Sequence, residues 1–327
     1  MNDKKMALIY ILEILKEHSD KNHCLTQADI IQKLESIYDV CLERKTISTH
    51  IQLLIDCGYN IINIPKKGYY LGNRDLNETQ IKFLIDAVYS SKMITGEDAK
   101  EISKKLYSNL SKYEQKDFSY IHKSTDINRT SNIDLFKNIE IINEAIETNK
   151  KISFQYLQYD KNGNLTEVKN GKRYYVSPYY LVNNSSKYYL LCSFDYFDNH
   201  TIYRIDLMKD VQINNHDRRN IENVPTLGSN FSISKYINDH VYMFGGKVIH
   251  ARVELLDNIA ITYVKDWFGS NSTIMEINGK LYASIKSDDN AFFYWVLQYM
   301  KHIKVIEPDY MVKKVVSTLE ETLKHYN

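Results

Sequence analysis

A chain of 327 residues can form two to three domains, and 43% hydrophobic with 25% charged residues is the balance of a soluble globular protein, which excludes a disordered or fibrous chain. A formal net charge of +1 excludes a uniformly basic molecule, so any nucleic-acid surface has to be a local basic stripe. Cys24, Cys41, Cys57 and Cys192 lack Cys-x-x-Cys spacing and disulfide-like density, which points to reduced thiols and a cytoplasmic location.

In chain order, the apolar run Met6 to Leu12 is broken by Glu13, Lys16 and Glu17 and is followed by no small-residue cleavage site, so it reads as a helix and not as a leader. Leu8, Ile11, Leu12 and Leu15 give it one buried stripe. Thr26, with Asp29 three residues on, predicts the N-cap of a second helix through Ile30 and Leu34. A third helix is predicted from about Arg44 to Cys57, with Ile47, Ile51 and Leu54 on one face and Gly58 as a left-handed C-terminal cap. At 100° per residue, Lys45, Ser48, Thr49 and Gln52 gather on the opposite face. Short hydroxyls, an amide and an ammonium suit the major groove of DNA; a solvated polar face of a small helical domain is the plainer alternative. Ile61 to Ile64 and Tyr69-Tyr70-Leu71 then read as two strands about the basic turn Pro65-Lys66-Lys67-Gly68.

The order helix, helix, helix, basic hairpin resembles the winged helix-turn-helix of bacterial transcription regulators, with Lys45-Thr46-Ile47 and Lys66-Lys67-Gly68-Tyr69 carrying the likeness. The resemblance implies binding of double-stranded DNA through Lys45, Thr46, Ser48, Thr49, Gln52, Lys66, Lys67 and Tyr69. Recognition helices of that family often carry Arg and Asp where this chain has Thr49 and His50, which removes the usual guanine-reading guanidinium. A dimer is expected, because helix-turn-helix proteins bind two half-sites about one DNA turn apart.

From residue 76 to 132 two further helical patterns, Ile81-Leu84-Ile85-Val88 with Asn77 as its cap and Ile102-Leu106-Leu110, predict a helical linker ending in a Ser/Thr/Asn-rich loop or hinge, Lys123 to Asn132. Leu135, Ile139, Ile142 and Ile146 form a helix leading into a strand, Ile152 to Tyr156, which alternates apolar and polar residues. Asn162-Gly163 supplies a turn with positive φ, and Lys172 to Val176, Lys187 to Phe194 and Thr201 to Ile205 complete a small antiparallel barrel.

Within that barrel Tyr156, Val176-Ser177-Pro178, Tyr188-Tyr189-Leu190 and Tyr203-Arg204-Ile205-Asp206 resemble the WYL domain, an Sm-like barrel of bacterial regulators that senses ligands. The family commonly has a second Arg after that Asp; here Leu207-Met208 follows, and Arg173 on an adjacent predicted strand is the candidate replacement. Tyrosines beside an arginine offer stacking faces and a phosphate-matched fork, so Tyr156, Arg173, Tyr188, Tyr203 and Arg204 are the candidate effector site for a nucleotide or oligonucleotide. Two structural explanations stand beside it: tyrosines that fill a barrel core, and an Arg204 that is paired with Asp206.

Asn214 to Met243, with Pro225 and Gly228, reads as an irregular connector with little chemistry. From Lys247 the order strand, helix, two strands about Asn278-Gly279, helix, strand and a Pro308-initiated helix predicts a ferredoxin-like sandwich with an added helix. Trp295-Val296-Leu297-Gln298 and Val305-Ile306-Glu307-Pro308 resemble the extension that follows many WYL domains. The phosphate-loop, nucleophile-elbow, dinucleotide-binding and His-Glu-x-x-His patterns are absent from the sequence; Gly245-Gly246-Lys247 reads as a turn and Asp288-Asp289 as helix capping.

The expectation is therefore a multidomain α+β chain: 1–75 winged helix-turn-helix, 76–132 helical linker, 133–216 WYL barrel, 217–246 connector and 247–327 extension. The function expected is DNA-binding transcription regulation by a homodimer with an anionic effector, no enzyme activity, no metal or cofactor and no membrane partner. The rival reading is an RNA- or single-stranded-DNA-binding module that uses the Sm-like barrel.

Overall fold

Helix α1, Asp3–His18, opens a computed structural model that describes residues 3–72, 76–115, 129–130, 132–228 and 231–326. The chain divides into two units, Met1–Ser131 and Asn132–Asn327.

In the first unit, α2 (Gln27–Tyr38) starts at Thr26, whose hydroxyl accepts from the Asp29 amide at 3.2 Å while the Asp29 carboxylate accepts from the Thr26 amide at 2.8 Å. This reciprocal cap satisfies two donors that a helix start leaves open. Helix α3, Arg44–Asp56, buries Ile47, Ile51 and Leu54 against Ile11 and Leu15 of α1 and Ile30 and Leu34 of α2, so three amphipathic stripes share one core. Gly58 follows at φ +95°. Strands β1 (Ile61–Ile64) and β2 (Gly68–Leu71) form an antiparallel hairpin with Ile61 opposite Leu71. The hairpin is fastened to the approach to α2: the Leu25 and Tyr69 amides each donate to the other's carbonyl at 2.8 Å. That close approach requires Gly68, because a Cβ there would lie 2.3 Å from the Leu25 oxygen and its φ is +112°. Helices α4 (Glu78–Ser90), capped by Asn77, and α5 (Gly96–Tyr107), capped by Thr95, follow. On α5 the buried positions are Ala99 and Ser103, and Leu110 is buried beyond the helix end. Most of the expected loop Lys123 to Asn132, namely 123–128 and 131, lies outside the described residues, as does the 73–75 stretch where the first domain was expected to end.

The second unit begins with α6, Leu135–Glu147, which buries Leu135, Asn138, Ile142 and Ala145 and packs on the sheet that follows. That sheet consists of β3 (Lys150–Tyr159), β4 (Leu165–Glu167), β5 (Arg173–Asn184), β6 (Lys187–Ser193), β7 (Thr201–Arg204) and β8 (Met208–Asp217). Its order is β4-β3-β5-β6-β7, with β8 also paired to β3, and every pairing is antiparallel. Between β7 and β8 the chain makes a 3-10 turn, Ile205–Leu207. Bulges in the β3–β8 and β5–β6 pairings break the register and bend the strands.

The connector 214–243 is more ordered than its sequence predicts. Strand β8 runs to Asp217, and α7 (Ile233–Asp239) starts at Ser232, whose hydroxyl accepts from the Lys235 amide. The polar stretch Asn214 to Asp217 hides the strand because β8 is held by backbone pairing to β3, and a helix of 7 residues is too short to show a period. Val224, Leu227, Tyr236 and Met243 of this segment form an apolar cluster with Tyr179, Val182, Tyr189 and Leu191 of β5 and β6.

The last part alternates β9 (Val248–Leu255), α8 (Ile259–Phe268), β10 (Ser272–Ile277), β11 (Lys280–Asp288), α9 (Asp289–Tyr299), β12 (Ile303–Glu307) and α10 (Asp309–Leu323). The four strands pair in the antiparallel order β10-β11-β9-β12. Ala251, Val253 and Leu255 alternate inward along β9, and with Phe268, Ile285, Phe292, Trp295 and Met311 they build one core.

Candidate functional site

On α3 the structure exposes Lys45, Ser48, Thr49 and Gln52, the four residues placed on its polar face by helical phase, and half-buries Thr46. Three of these side chains are oriented by hydrogen bonds. Ser48 Oγ accepts from Gln27 Nε2 of α2 at 2.7 Å, Thr49 Oγ1 donates to the Lys45 carbonyl at 3.1 Å, and Gln52 Nε2 donates to Asp56 Oδ1 at 2.9 Å. Gln52 thus keeps its carbonyl oxygen as an acceptor while Asp56 holds its amide nitrogen. Lys66 and Lys67 are exposed at the hairpin turn, Lys66 at φ +68°. Tyr69 is half-buried, with its ring packed on the three-helix core.

In the second unit a cavity of about 370 Å³ opens beside β7, lined among others by Tyr156, Lys187, Tyr189, Arg204 and the segment Val241 to Phe244. That volume suits a small ligand. Arg204 is half-buried and grips Asp206 with two bonds, Nε to Oδ1 at 3.1 Å and Nη2 to Oδ2 at 2.6 Å. Asp206 is only 4% exposed, so a carboxylate that water barely reaches has its charge balanced by this guanidinium. The bonds to Asp206, opposed by burial, raise the Arg204 pKa above its ordinary value. The Arg204 backbone N–H donates to the Tyr156 hydroxyl at 3.2 Å, and burial pushes the Tyr156 phenol up to about 12, so it stays protonated across the physiological range. Burial likewise raises Tyr189.

The other sequence candidates lie elsewhere. Tyr203 sits in an aromatic cluster with ring centroids 5.1 Å from Phe154, 5.0 Å from Tyr156 and 5.8 Å from Tyr174, and burial raises its pKa. Tyr188 pairs across the strands with Asn183, whereas Tyr189 pairs with Arg204 and reaches the cavity. Arg173 does not line this cavity; its guanidinium bonds Ser153 Oγ at 3.1 Å, Asp210 Oδ2 at 2.7 Å and the Asp210 carbonyl at 2.6 Å. Of the sequence candidates only Tyr156 and Arg204 line the cavity; Lys187 and Tyr189 are among the lining residues that the sequence reading did not name. Strand β6 is buried on both faces from Tyr189 onward, so it offers no alternation from which to choose between neighbouring tyrosines. The pairing of Tyr189 with Arg204 is what brings Tyr189 to the cavity wall.

The polar groups at the glycine turn are tied into the fold. The Lys247 amide donates to Asp289 Oδ1 at 3.1 Å and Asn290 Nδ2 to the Gly245 carbonyl at 2.6 Å, so the Gly245-Gly246-Lys247 turn is tied to the start of α9, where Asp288 caps the Ala291 amide. Among the described residues no group of three or more His, Cys, Asp or Glu side chains could hold a metal ion, and no helix is long and apolar enough to cross a membrane.

These elements define a class: a helical unit with a basic hairpin, followed by an antiparallel sheet domain with an arginine beside a small cavity. The model of the WYL domain matches residues 137–213, which span α6 to β8 and include Tyr156, Tyr189 and Arg204. Among solved structures, proteasome accessory factor B/C (PafBC) of Arthrobacter aurescens is similar over 98% of this chain and 49% of its own, at 14% identity and a TM-score of 0.30, so this chain spans about half the length of that one. A CRISPR Cas-related protein is similar over 99% of this chain and 84% of its own, at 17% identity and a TM-score of 0.40. No curated protein matches the chain.

Proposed function

We propose that this protein is a transcription regulator that binds double-stranded DNA through its first unit and senses an anionic, nucleotide-like ligand through its WYL domain. The observation that carries the reading is α3: a helix anchored by one apolar stripe presents Lys45, Ser48, Thr49 and Gln52 to solvent, and a hairpin with Lys66 and Lys67 at its tip follows it. In this reading residues 1–75 are a winged helix-turn-helix in which α3 enters the major groove and the hairpin lysines hold phosphates. Residues 76–132 link it to a small Sm-like barrel, 133–216, and the 217–246 connector leads to a ferredoxin-like extension, 247–327. The protein acts as a homodimer on two half-sites, by binding and without a catalytic step.

The WYL match and the cavity at Arg204 support the sensing half. The test is selection of bound duplexes from a random pool, followed by titration of the selected duplex and of random duplex with variants. Lys66→Ala should weaken both and lower the salt slope by about one, while Gln52→Ala should cost roughly 1 to 3 kcal/mol on the selected duplex alone. Equal effects of both variants on both duplexes would contradict the assignment.

A further inference from the structure

Resting on the reading of the Arg204 cavity as an anion site, we infer that Asp206 is a built-in competitor for the Arg204 guanidinium. We infer further that Asn132 latches the turn carrying Asp206, so that an anion taking Arg204 loosens the segment that enters the second unit.

With Asp206 at 2.6 Å the pair is net neutral, and an anion in the cavity gains the full charge of Arg204 only as Asp206 lets go. Asp206 belongs to the 3-10 turn Ile205–Leu207, in which Ile205 and Asp206 are buried, and the carbonyls flanking Leu207 accept bonds from the start of this unit. Asn132 Nδ2 donates to the Asp206 carbonyl at 2.8 Å and to the Met208 carbonyl at 3.2 Å, and Asn138 Nδ2 of α6, only 2% exposed, donates to the same Met208 carbonyl at 3.0 Å. A buried carboxylate without its cation is costly, so on this inference the turn rearranges when Arg204 leaves it, and the bonds from Asn132 to its carbonyls go with it.

The segment just before it is equally engaged within the first unit. Arg129 donates to the Ser91 and Tyr89 carbonyls, each at 2.5 Å, and the Thr130 amide to the Lys92 carbonyl at 2.9 Å. Arg129 and Thr130 thus bond within the first unit, to the end of α4 and its following turn, and Asn132 bonds the Asp206 turn within the second. Linkage makes the device measurable from either end: if anion binding releases Asn132, removing the Asn132 bonds has to tighten anion binding.

The experiment is calorimetric titration of the full chain with inorganic pyrophosphate, with amide exchange followed across residues 132–138. Wild type should bind, with exchange there rising several-fold at saturation, and Arg204→Lys should lose most of the affinity because it lacks the fork. Asp206→Asn should bind roughly tenfold tighter and Asn132→Ala roughly threefold tighter. Asn132→Ala touches neither the ion pair nor the lining, although it also removes the acceptor of the Asp134 amide at 2.9 Å, so it answers even if Asp206→Asn does not fold. Wild-type affinity in Asn132→Ala, or unchanged exchange at saturation, overturns the latch, and an Asp206→Asn protein that binds no tighter overturns the competition, while binding that depends on Arg204 leaves the anion site standing. Absence of binding in wild type, or binding indifferent to Arg204→Lys, removes the anion site itself and this inference with it.

Discussion

The face of α3 and the cavity beside β7 are both polar sites, yet they are built in opposite ways. On α3 the candidate side chains stand in solvent over an apolar stripe, and their bonds go to Asp56, the Lys45 carbonyl and Gln27 of α2. At β7 the polar groups are partly or wholly withdrawn from water, and Arg204 and Asp206 each depend on the other. A surface site of the first kind can change without disturbing the fold, whereas in the second kind stability and function are one set of contacts.

The sharpest way to break that contrast is to remove the centre of the aromatic cluster. Phe154 is fully buried and stacks with Tyr174 and edge-on with Tyr156 and Tyr203, so Phe154→Ala should cost about 3 to 5 kcal/mol in chemical denaturation of the second unit. A loss under about 1 kcal/mol would mean that the cluster is not the support of the cavity wall. Next in size is the Arg204 pair. Arg204→Ala should destabilise the second unit by about 2 to 3 kcal/mol because it strands Asp206, and adding Asp206→Asn should recover part of that loss. Additive losses in the double variant would show that the two side chains do not support each other. In the first unit, Gly68→Ala should cost about 1 to 3 kcal/mol, since both its φ and the Leu25 carbonyl exclude a side chain.

A pH titration sharpens the comparison further. Burial, followed by the neighbouring His240, lowers His200 to about 4, below its unfolded value of 6.5. Its contribution to stability is therefore complete above 6.5 and is lost as pH falls toward 4. Asp288 runs the other way: burial first, and then Asp289, raise it to about 6, so it favours the fold more as pH falls from 6 to 3.8. The two oppose each other over most of one window. Asp288→Asn keeps a capping side chain and removes one of them, so the Tm of the second unit should fall more steeply between pH 6.5 and 4.5 in this variant than in wild type, and parallel curves would contradict the assignment. The smallest effect belongs to α3: Gln52→Ala and Lys66→Ala should each change stability by less than about 0.5 kcal/mol.

The same contrast explains what the sequence made legible. The α3 face was readable because helical phase assigns a side to every residue, and Thr26 with Asp29 and Asn77 fixed the helix starts. Strands β9 to β12 were readable from alternation and from the turn at Asn278 and Gly279, both at positive φ. The cavity was harder. Its arginine stood out as a charge among apolar strand residues, but the tyrosine beside it depends on pairing between β6 and β7, which no local pattern in the doubly buried β6 encodes. Arg173 was placed on an adjacent strand, yet strand neighbourhood does not fix which face a side chain takes; it bonds Ser153 and Asp210. The wall formed by Val241 to Phe244 comes from a segment whose order depends on packing against β5 and β6, so it read as an irregular connector.

Whether the α3 unit reads duplex DNA is decided by competition for the full chain between a selected duplex and a single strand of the same length across a salt series. The duplex should be preferred at every salt concentration, and Lys66→Ala should lower the duplex salt slope by about one. Preference for the single strand, undiminished by Lys66→Ala, would contradict it and assign binding to the antiparallel sheet domain instead.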